Sequence, residues 1–317
     1  MNVCEPYTKF KHAENISDDF LLNVLEINMK SFFDWAFLCI GAWFDVKTSD
    51  NSIYGLNQHS QLLAVADENY EDGQVWQSIR KDWVWETGVS FKDTTPTIID
   101  GIFVNGSLQP NDGTNYTINY PEGKIIFNTP QSISSEIKLD YSYRHVQVYR
   151  ASDSPWFNTL QYSSFNTSSK DIIRTDDGDW SIGSNKRIQL PAIVIESVAR
   201  SRSYPREIGS NDIVIEQDIE FYVLAENKND RNKILDILRL QQDLVFFLYD
   251  TNKISQNDKY PLDYNGNLRS DPLMYPNLVD NYAWRKAWIK NVSLFEIESV
   301  NPDFHRGMAR ATVEINS

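Results

Sequence analysis

The sequence predicts a β-rich α+β protein, and three observations carry that expectation. Residues 94–150 and 189–315 contain repeated runs in which apolar and polar residues alternate, the period of half-buried strands. Between two of these runs, Ile234, Leu235, Ile237, Leu238 and Gln241 fall on one face of a helix. A second helical stripe lies near the N-terminus. Strands joined by hairpins with helices laid across them form the layers of an α+β fold. The expected division has four parts. An N-terminal helix in residues 1–50 packs on the C-terminal domain. An irregular connector spans 51–93, an antiparallel β module 94–150, and an α+β domain 151–317.

The first element is an amphipathic helix. Ser17 is a suitable N-cap, and Asp18 and Asp19 suit the positive end of the helix dipole. Leu21, Leu22, Leu25, Met29, Phe32 and Phe33 recur at helical spacing. From Phe32 to Phe44 the chain is apolar nearly all round, which predicts burial, with Gly41 as the break. Residues 48–75 are polar and turn-rich and read as loop with short elements. Trp76, Trp83 and Trp85 follow, a cluster that suits core or interface packing better than sugar stacking.

In the β module, Ile98–Val104 meets an Asn105-Gly106 turn, a strong hairpin signal. Asn115–Tyr120 and Lys124–Phe127 flank Pro121-Glu122-Gly123, and Ile137, Leu139, Tyr141 and Tyr143 alternate with polar residues. Ser163–Lys170 reads as a linker or exposed loop and Thr175–Asp179 as a turn without the spacing of a calcium loop. Further on, Pro191 restricts the run Gln189–Val198 to a strand start or edge. Ile213, Ile215, Ile219, Phe221 and Val223 form a long amphipathic strand, Asn227 or Asn229 caps the second helix, and Leu244–Tyr249 is a short buried strand. After a long Tyr/Pro/Asp/Asn-rich loop, Trp284–Ile297 and Ala309–Ile315 supply two more strands. The order is β-β-α-β-loop-β-β.

Composition narrows the chemistry. Thirty Lys and Arg against 44 Asp and Glu give a net charge of −14, which argues against a nucleic-acid grip built from clustered cations. Cys4 and Cys39 read as free thiols, and four His with two Cys make neither a disulfide scaffold nor a metal centre. The start carries no basic stretch followed by a long apolar run, so no secretory signal is expected, and no apolar run approaches the roughly 20 residues of a membrane span. No Gly-x-Ser-x-Gly elbow occurs, His12, His59, His145 and His305 sit in unrelated contexts, and the 13 glycines form no phosphate loop. No catalytic, cofactor-binding or metal-ligating set is expected.

The stretch Ile219–Asn227 followed by Asn229–Leu238 resembles the strand-to-helix segment of tailed-bacteriophage neck and tail-completion (tail-terminator-like) proteins. Tyr260–Gly266, Tyr275–Val279 and Trp284-Arg285-Lys286 also resemble phage structural proteins, as does the module with Phe103–Gly106, Tyr116–Tyr120 and Gly123–Phe127. In those families, a sheet with one helix packed on it builds each subunit of a ring that closes the tail tube or joins it to the head. The resemblance implies a non-enzymatic virion protein, assembled in the host cytoplasm, that forms a six- or twelve-fold homo-oligomeric ring. Its partners would be sister copies and neighbouring neck, tail-tube or connector proteins, with DNA as a passing, repelled polymer and no membrane. The β module would be an insertion.

On that reading Glu216, Asp218 and Glu220, on the polar face of the long strand, are candidate lumen carboxylates. Tyr264, Tyr275, Tyr282 and Trp284, in the long loop between about 251 and 288, are candidate assembly contacts, since Tyr and Trp are enriched at interface hot spots. The alternative is a baseplate or carbohydrate-binding tail module that uses surface Trp and Tyr as stacking platforms. Exposed, coplanar aromatics in 94–150 would favour it, and buried ones the ring. A glycan-cleaving enzyme would need a deep cleft with two close carboxylates.

Overall fold

The computed structural model describes residues 21–50, 53–54, 57–163, 172–174, 180–182, 187–207, 213–254, 261–263 and 265–316. The expected cap at Ser17–Asp19 and the turn at Thr175–Asp179 lie outside these residues, as does nearly all of the Ser163–Lys170 loop; Ser163 ends a helix.

Helix α1 (Leu21–Cys39) carries Leu25, Met29, Phe33 and Phe37 every fourth residue, and all four are buried. It ends where expected. Gly41 adopts φ +81°, its N–H donates to the Leu38 carbonyl, and the Ala42 N–H donates to Phe37, the bond pair of a Schellman motif. A β-carbon at Gly41 would run into the Phe91 ring.

Eleven short strands follow: β1 (Trp43–Val46), β2 (Ile53–Tyr54), β3 (Asn57–Gln58), β4 (Gln61–Ala64), β5 (Val75–Gln77), β6 (Gly101–Val104), β7 (Ser107–Pro110), β8 (Tyr116–Asn119), β9 (Lys124–Phe127), β10 (Ile137–Lys138) and β11 (Tyr141–Arg144). Seven form one sheet in the order β7-β6-β10-β4-β5-β9-β8, while β1 pairs with β11. Two short strands from the polar 48–75 stretch and its border, β4 and β5, sit in the interior of this sheet. Each is only three or four residues long, too short to show alternation against many surrounding turn residues. The Asn105-Gly106 hairpin forms with both φ values positive. Trp76, Trp83, Tyr116, Phe127 and Tyr141 fill the core of this module.

The C-terminal half contains β12 (Gln147–Arg150), α2 (Pro155–Ser163), β13 (Ile172–Arg174), β14 (Trp180–Ile182), β15 (Arg187–Ile188), β16 (Ala192–Pro205), β17 (Ile213–Ala225), α3 (Lys228–Arg239), β18 (Val245–Tyr249), α4 (Tyr275–Tyr282), β19 (Ala283–Asn301) and β20 (Phe304–Asn316). Six strands form one sheet in the order β12-β16-β17-β20-β19-β18. The Asn227 side chain caps α3 by accepting from the Asp230 N–H at 2.8 Å. Although the sequence groups β12 with the module, it pairs in parallel with β16, beginning just after Pro191. The long loop contains α4.

One face of the six-stranded sheet buries Ile193, Ile195, Phe221, Val223, Val313 and Ile315 under α1 and α3. Phe33 meets Phe221 edge-on at 5.2 Å, and Phe32 stacks on Phe246 at 5.3 Å. Two polar residues tie α1 across this sheet. Glu26 accepts from the Ser197 N–H at 2.7 Å, next to the β16 edge. Asn28, fully buried, accepts from the Tyr249 N–H at 2.8 Å and donates to the Tyr249 carbonyl at 3.0 Å, standing in for a neighbouring strand on β18. Within the module Arg144 forms a buried ion pair with Glu86, and Gln189 joins the two halves by accepting from the Lys81 N–H at 3.1 Å and donating to the Arg144 carbonyl at 3.2 Å.

Candidate assembly interface

Alternation places Glu216, Asp218 and Glu220 on the face of β17 opposite its buried Ile219 and Phe221. α2 and the small sheet β13-β14-β15 cover one end of this second face, burying Val194 and Leu224. The rest is open.

Register decides what the three carboxylates meet. Glu216 lies opposite Glu314, Asp218 opposite Thr312 and Glu220 opposite Arg310. Two like charges directly opposed destabilise a sheet, and Lys290 of β19 resolves the clash by reaching Glu216 at 2.7 Å and Glu314 at 3.2 Å. The Lys290 hydrogen bond holds the Glu216 carboxyl below the usual carboxylate range and raises the ammonium pKa of Lys290 itself. Thr312 donates to Asp218 at 2.9 Å, and the Arg200 guanidinium lies 3.7 Å from the same carboxylate. Arg310 pairs with Glu220, while the Tyr222 hydroxyl donates to the other carboxylate oxygen at 2.6 Å. Burial, reinforced by that bond to Glu220, raises the Tyr222 phenol above its ordinary pKa. Asp218 and Glu220 are only 8% and 7% exposed. The bare acidic face expected from β17 alone is therefore charge-compensated within the subunit, because the neighbouring strands supply the cations.

Aromatic side chains stand beside these charges. Phe295 is 45% exposed with the Arg310 guanidinium 6.0 Å from its ring centre, and Lys290 lies 5.8 Å from Trp288. Phe247, on edge strand β18, is also 45% exposed under Lys286. Arg200, Arg202, Asp218, Phe295, Arg310 and Thr312 line part of a shallow groove of about 330 Å³. Open aromatic and Arg-rich surface with satisfied polar groups is suited to protein contact.

The loop candidates turn mostly inward. Tyr275 is buried, its hydroxyl donates to the Phe247 carbonyl at 2.6 Å, and its ring meets Phe32 edge-on. Tyr282 is half-buried beside the Ile254–Leu278 cluster, and half-buried Trp284 packs against the main core with Arg285 over its ring. Their contacts here are made within the subunit. Tyr264 lies outside the described residues. Lys290, Phe295, Arg310 and Thr312 escaped the sequence reading. Alternation of Arg310, Thr312 and Glu314 with Ala309, Ala311, Val313 and Ile315 marks a polar face, but only the β17–β20 register shows which face it joins.

A second cavity of about 180 Å³ lies at the seam of the two halves, between Phe44, Tyr143 and His145 on one side and Pro191 and Asp230 on the other. The His145 ring stands edge-on to Phe44 at 5.0 Å, and burial lowers its pKa from 6.5. Among the described residues no group of three His, Cys, Asp or Glu side chains could hold a metal ion, and no helix is long and apolar enough to cross a membrane. Compared with known proteins, the chain matches no family model, and no curated protein is significantly similar to it.

Proposed function

We propose that this chain is a non-enzymatic structural subunit of a tailed-bacteriophage virion, forming a homo-oligomeric ring at the head–tail junction that gives DNA a passage. The observation that carries the reading is the open second face of the six-stranded sheet. It is flanked by exposed Phe247 and Phe295, and its carboxylates are already paired, so a neighbour can cover it without stranding a buried anion. The resemblance of the β17–α3 segment to tail-completion proteins adds the place in the particle. Repulsion of DNA by such a ring draws on the overall charge of −14 rather than on Glu216, Asp218 and Glu220.

A carbohydrate-binding tail module is the second reading. The aromatics of the β module weigh against it, since Tyr116, Tyr120 and Tyr141 are all buried, as are Trp76 and Trp83 just upstream. The test is to locate the protein in particles of the phage that encodes it, by immunogold electron microscopy and by stoichiometry relative to the tail. Label at the head–tail junction at a ring-like copy number is expected. Absence from the particle would refute the proposal, and label on the baseplate would favour the second reading.

A further inference from the structure

We propose that copies of this chain join head to tail, the outer edge of β16 in one copy pairing antiparallel with the outer edge of β19 in the next. The inference rests on the ring reading and names the surfaces that would close it.

Each flank of the six-stranded sheet is only half covered. β12 pairs with β16 over Ala192–Ile195 alone, and α1 takes the Ser197 N–H through Glu26. Among the described residues no strand lies outside Ser201–Pro205. On the other flank, β18 pairs with β19 only as far as Trp288, and Leu244 and Asp243 hold Ile289. Among the described residues no strand lies outside Asn291–Ile297. Of the two outermost strands, β12 is only four residues long, and β18 is partly sealed: Asn28 bonds Tyr249, and Tyr275 bonds the Phe247 carbonyl. Two half-edges therefore stay open, diagonally opposed.

Their directions match. β16, β17, β20 and β19 are antiparallel at every step, so β16 and β19 run in opposite senses. A second copy in the same orientation would place its β16 antiparallel to the first copy's β19. Their levels also match. Ser203 lies opposite Ile215, whereas Leu294 lies opposite Ala309 and so level with Phe221, six residues further along β17. The neighbour is thus displaced by about 20 Å along the strands. That shift carries its β12 past the end of β19 and sets its Pro205 beyond the level of Val245, the first residue of the first copy's β18. Four strands per repeat span about 19 Å across, so a closed ring would tilt its strands by about 45° to the ring axis, at the upper end of the tilts of closed sheets.

The surfaces are complementary. The β16 half-edge carries exposed Arg200, Arg202 and Arg206 with Pro205, the charged and proline-bearing composition that discourages indiscriminate pairing. The β19 half-edge, Asn291-Val292-Ser293-Leu294-Phe295-Glu296-Ile297, has neither Lys, Arg nor Pro. It offers exposed Leu294 and Phe295 to the partner's Tyr204 and arginines, while Glu296 is held by Arg231 of its own subunit at 2.9 Å.

Ser203 and Leu294 share the helix-bearing face and are both exposed, so the test uses Ser203→Cys with Leu294→Cys in a Cys4→Ser, Cys39→Ser background. The full chain is treated with a short bis-maleimide that tolerates a slip of one residue. A ladder of linked chains from the double variant, with neither single variant forming dimers, is the expected result. Dimers from either single variant would mean a two-fold contact and overturn the proposal. So would an intrachain link between Cys4 and Ser203→Cys in a separate variant that keeps Cys4 and carries only Cys39→Ser, which would place residues 1–20 on the edge. Oligomers seen by mass photometry without a ladder would overturn the edge pairing and leave the ring reading standing. Monomers without a ladder from chains that the immunogold test places at the junction would do the same. As a check that does not depend on cross-linking, Arg202→Glu with Arg206→Glu should weaken self-association at least tenfold with an unchanged monomer melting curve. Unchanged association would overturn the proposal.

Discussion

Replacing Asn28 by Leu should cost about 2–6 kcal/mol of folding stability. The Asn28 side chain is fully buried and makes both of the bonds a neighbouring strand would make to Tyr249, at 2.8 and 3.0 Å. Leu is close in size but can make neither, so the Tyr249 N–H and carbonyl each lose a hydrogen bond, at about 1–3 kcal/mol for each such buried bond. The amide also donates to the Val24 carbonyl, but that acceptor lies within the helix ladder and tolerates the loss. Asp at this position would keep the acceptor for the Tyr249 N–H yet set an oxygen against the Tyr249 carbonyl, and should be no better than Leu. Urea denaturation of the two variants and the wild type gives the difference, and hydrogen exchange at Tyr249 reports the site. A loss below 1 kcal/mol with unchanged Tyr249 protection would refute the reasoning that α1 acts as the missing neighbour of β18.

Arg144→Met should destabilise by about 3–5 kcal/mol, because it leaves Glu86 buried without its cation and Asp82 without the guanidinium 3.5 Å away; adding Glu86→Leu should recover much of the loss in the same denaturation assay. Phe33→Ala, which opens a cavity against Phe221 and Phe37, should cost about 3–5 kcal/mol. His145 supplies a pH signature. A base with a depressed folded pKa binds fewer protons folded than unfolded, so its contribution is present above its unfolded value near 6.5 and is lost as pH falls toward the folded value. Between about pH 7 and about pH 5.5 the wild type should therefore lose more stability than His145→Gln, and equal slopes would exclude the effect. Gly307→Val should lower the melting temperature, because even a β-carbon there would sit 2.7 Å from Leu235 on α3.

Much of the fold was legible because its long elements repeat a period many times. α1 shows its stripe over five turns, β17 alternates over thirteen residues, and of the two Asn that the sequence offers as a cap for α3 the structure uses Asn227. The sheet of the module was partly hidden because β4 and β5 are as short as the turns around them. β12 was misgrouped because a four-residue strand does not announce its partner, and its parallel pairing with β16 crosses more than 40 residues. The candidate site was half legible for a related reason. Alternation identified Glu216, Asp218 and Glu220 as one polar face, but Lys290, Thr312 and Arg310, which pair with them, come from strands more than 70 residues away. Tyr275 looked like surface because the sequence around it is loop-like, whereas its hydroxyl is used on the Phe247 carbonyl.

The docking of α1 has a consequence for biosynthesis. Phe32 and Phe33 leave the ribosome early, yet their partners Phe246 and Phe221 are made roughly 190–210 residues later. At about 5–20 residues per second the apolar stripe waits for about 10–40 s before its cover is complete. During that interval the nascent chain depends on a holding chaperone or on transient burial elsewhere. Truncated chains ending before β17 should accordingly be the aggregating species in expression trials.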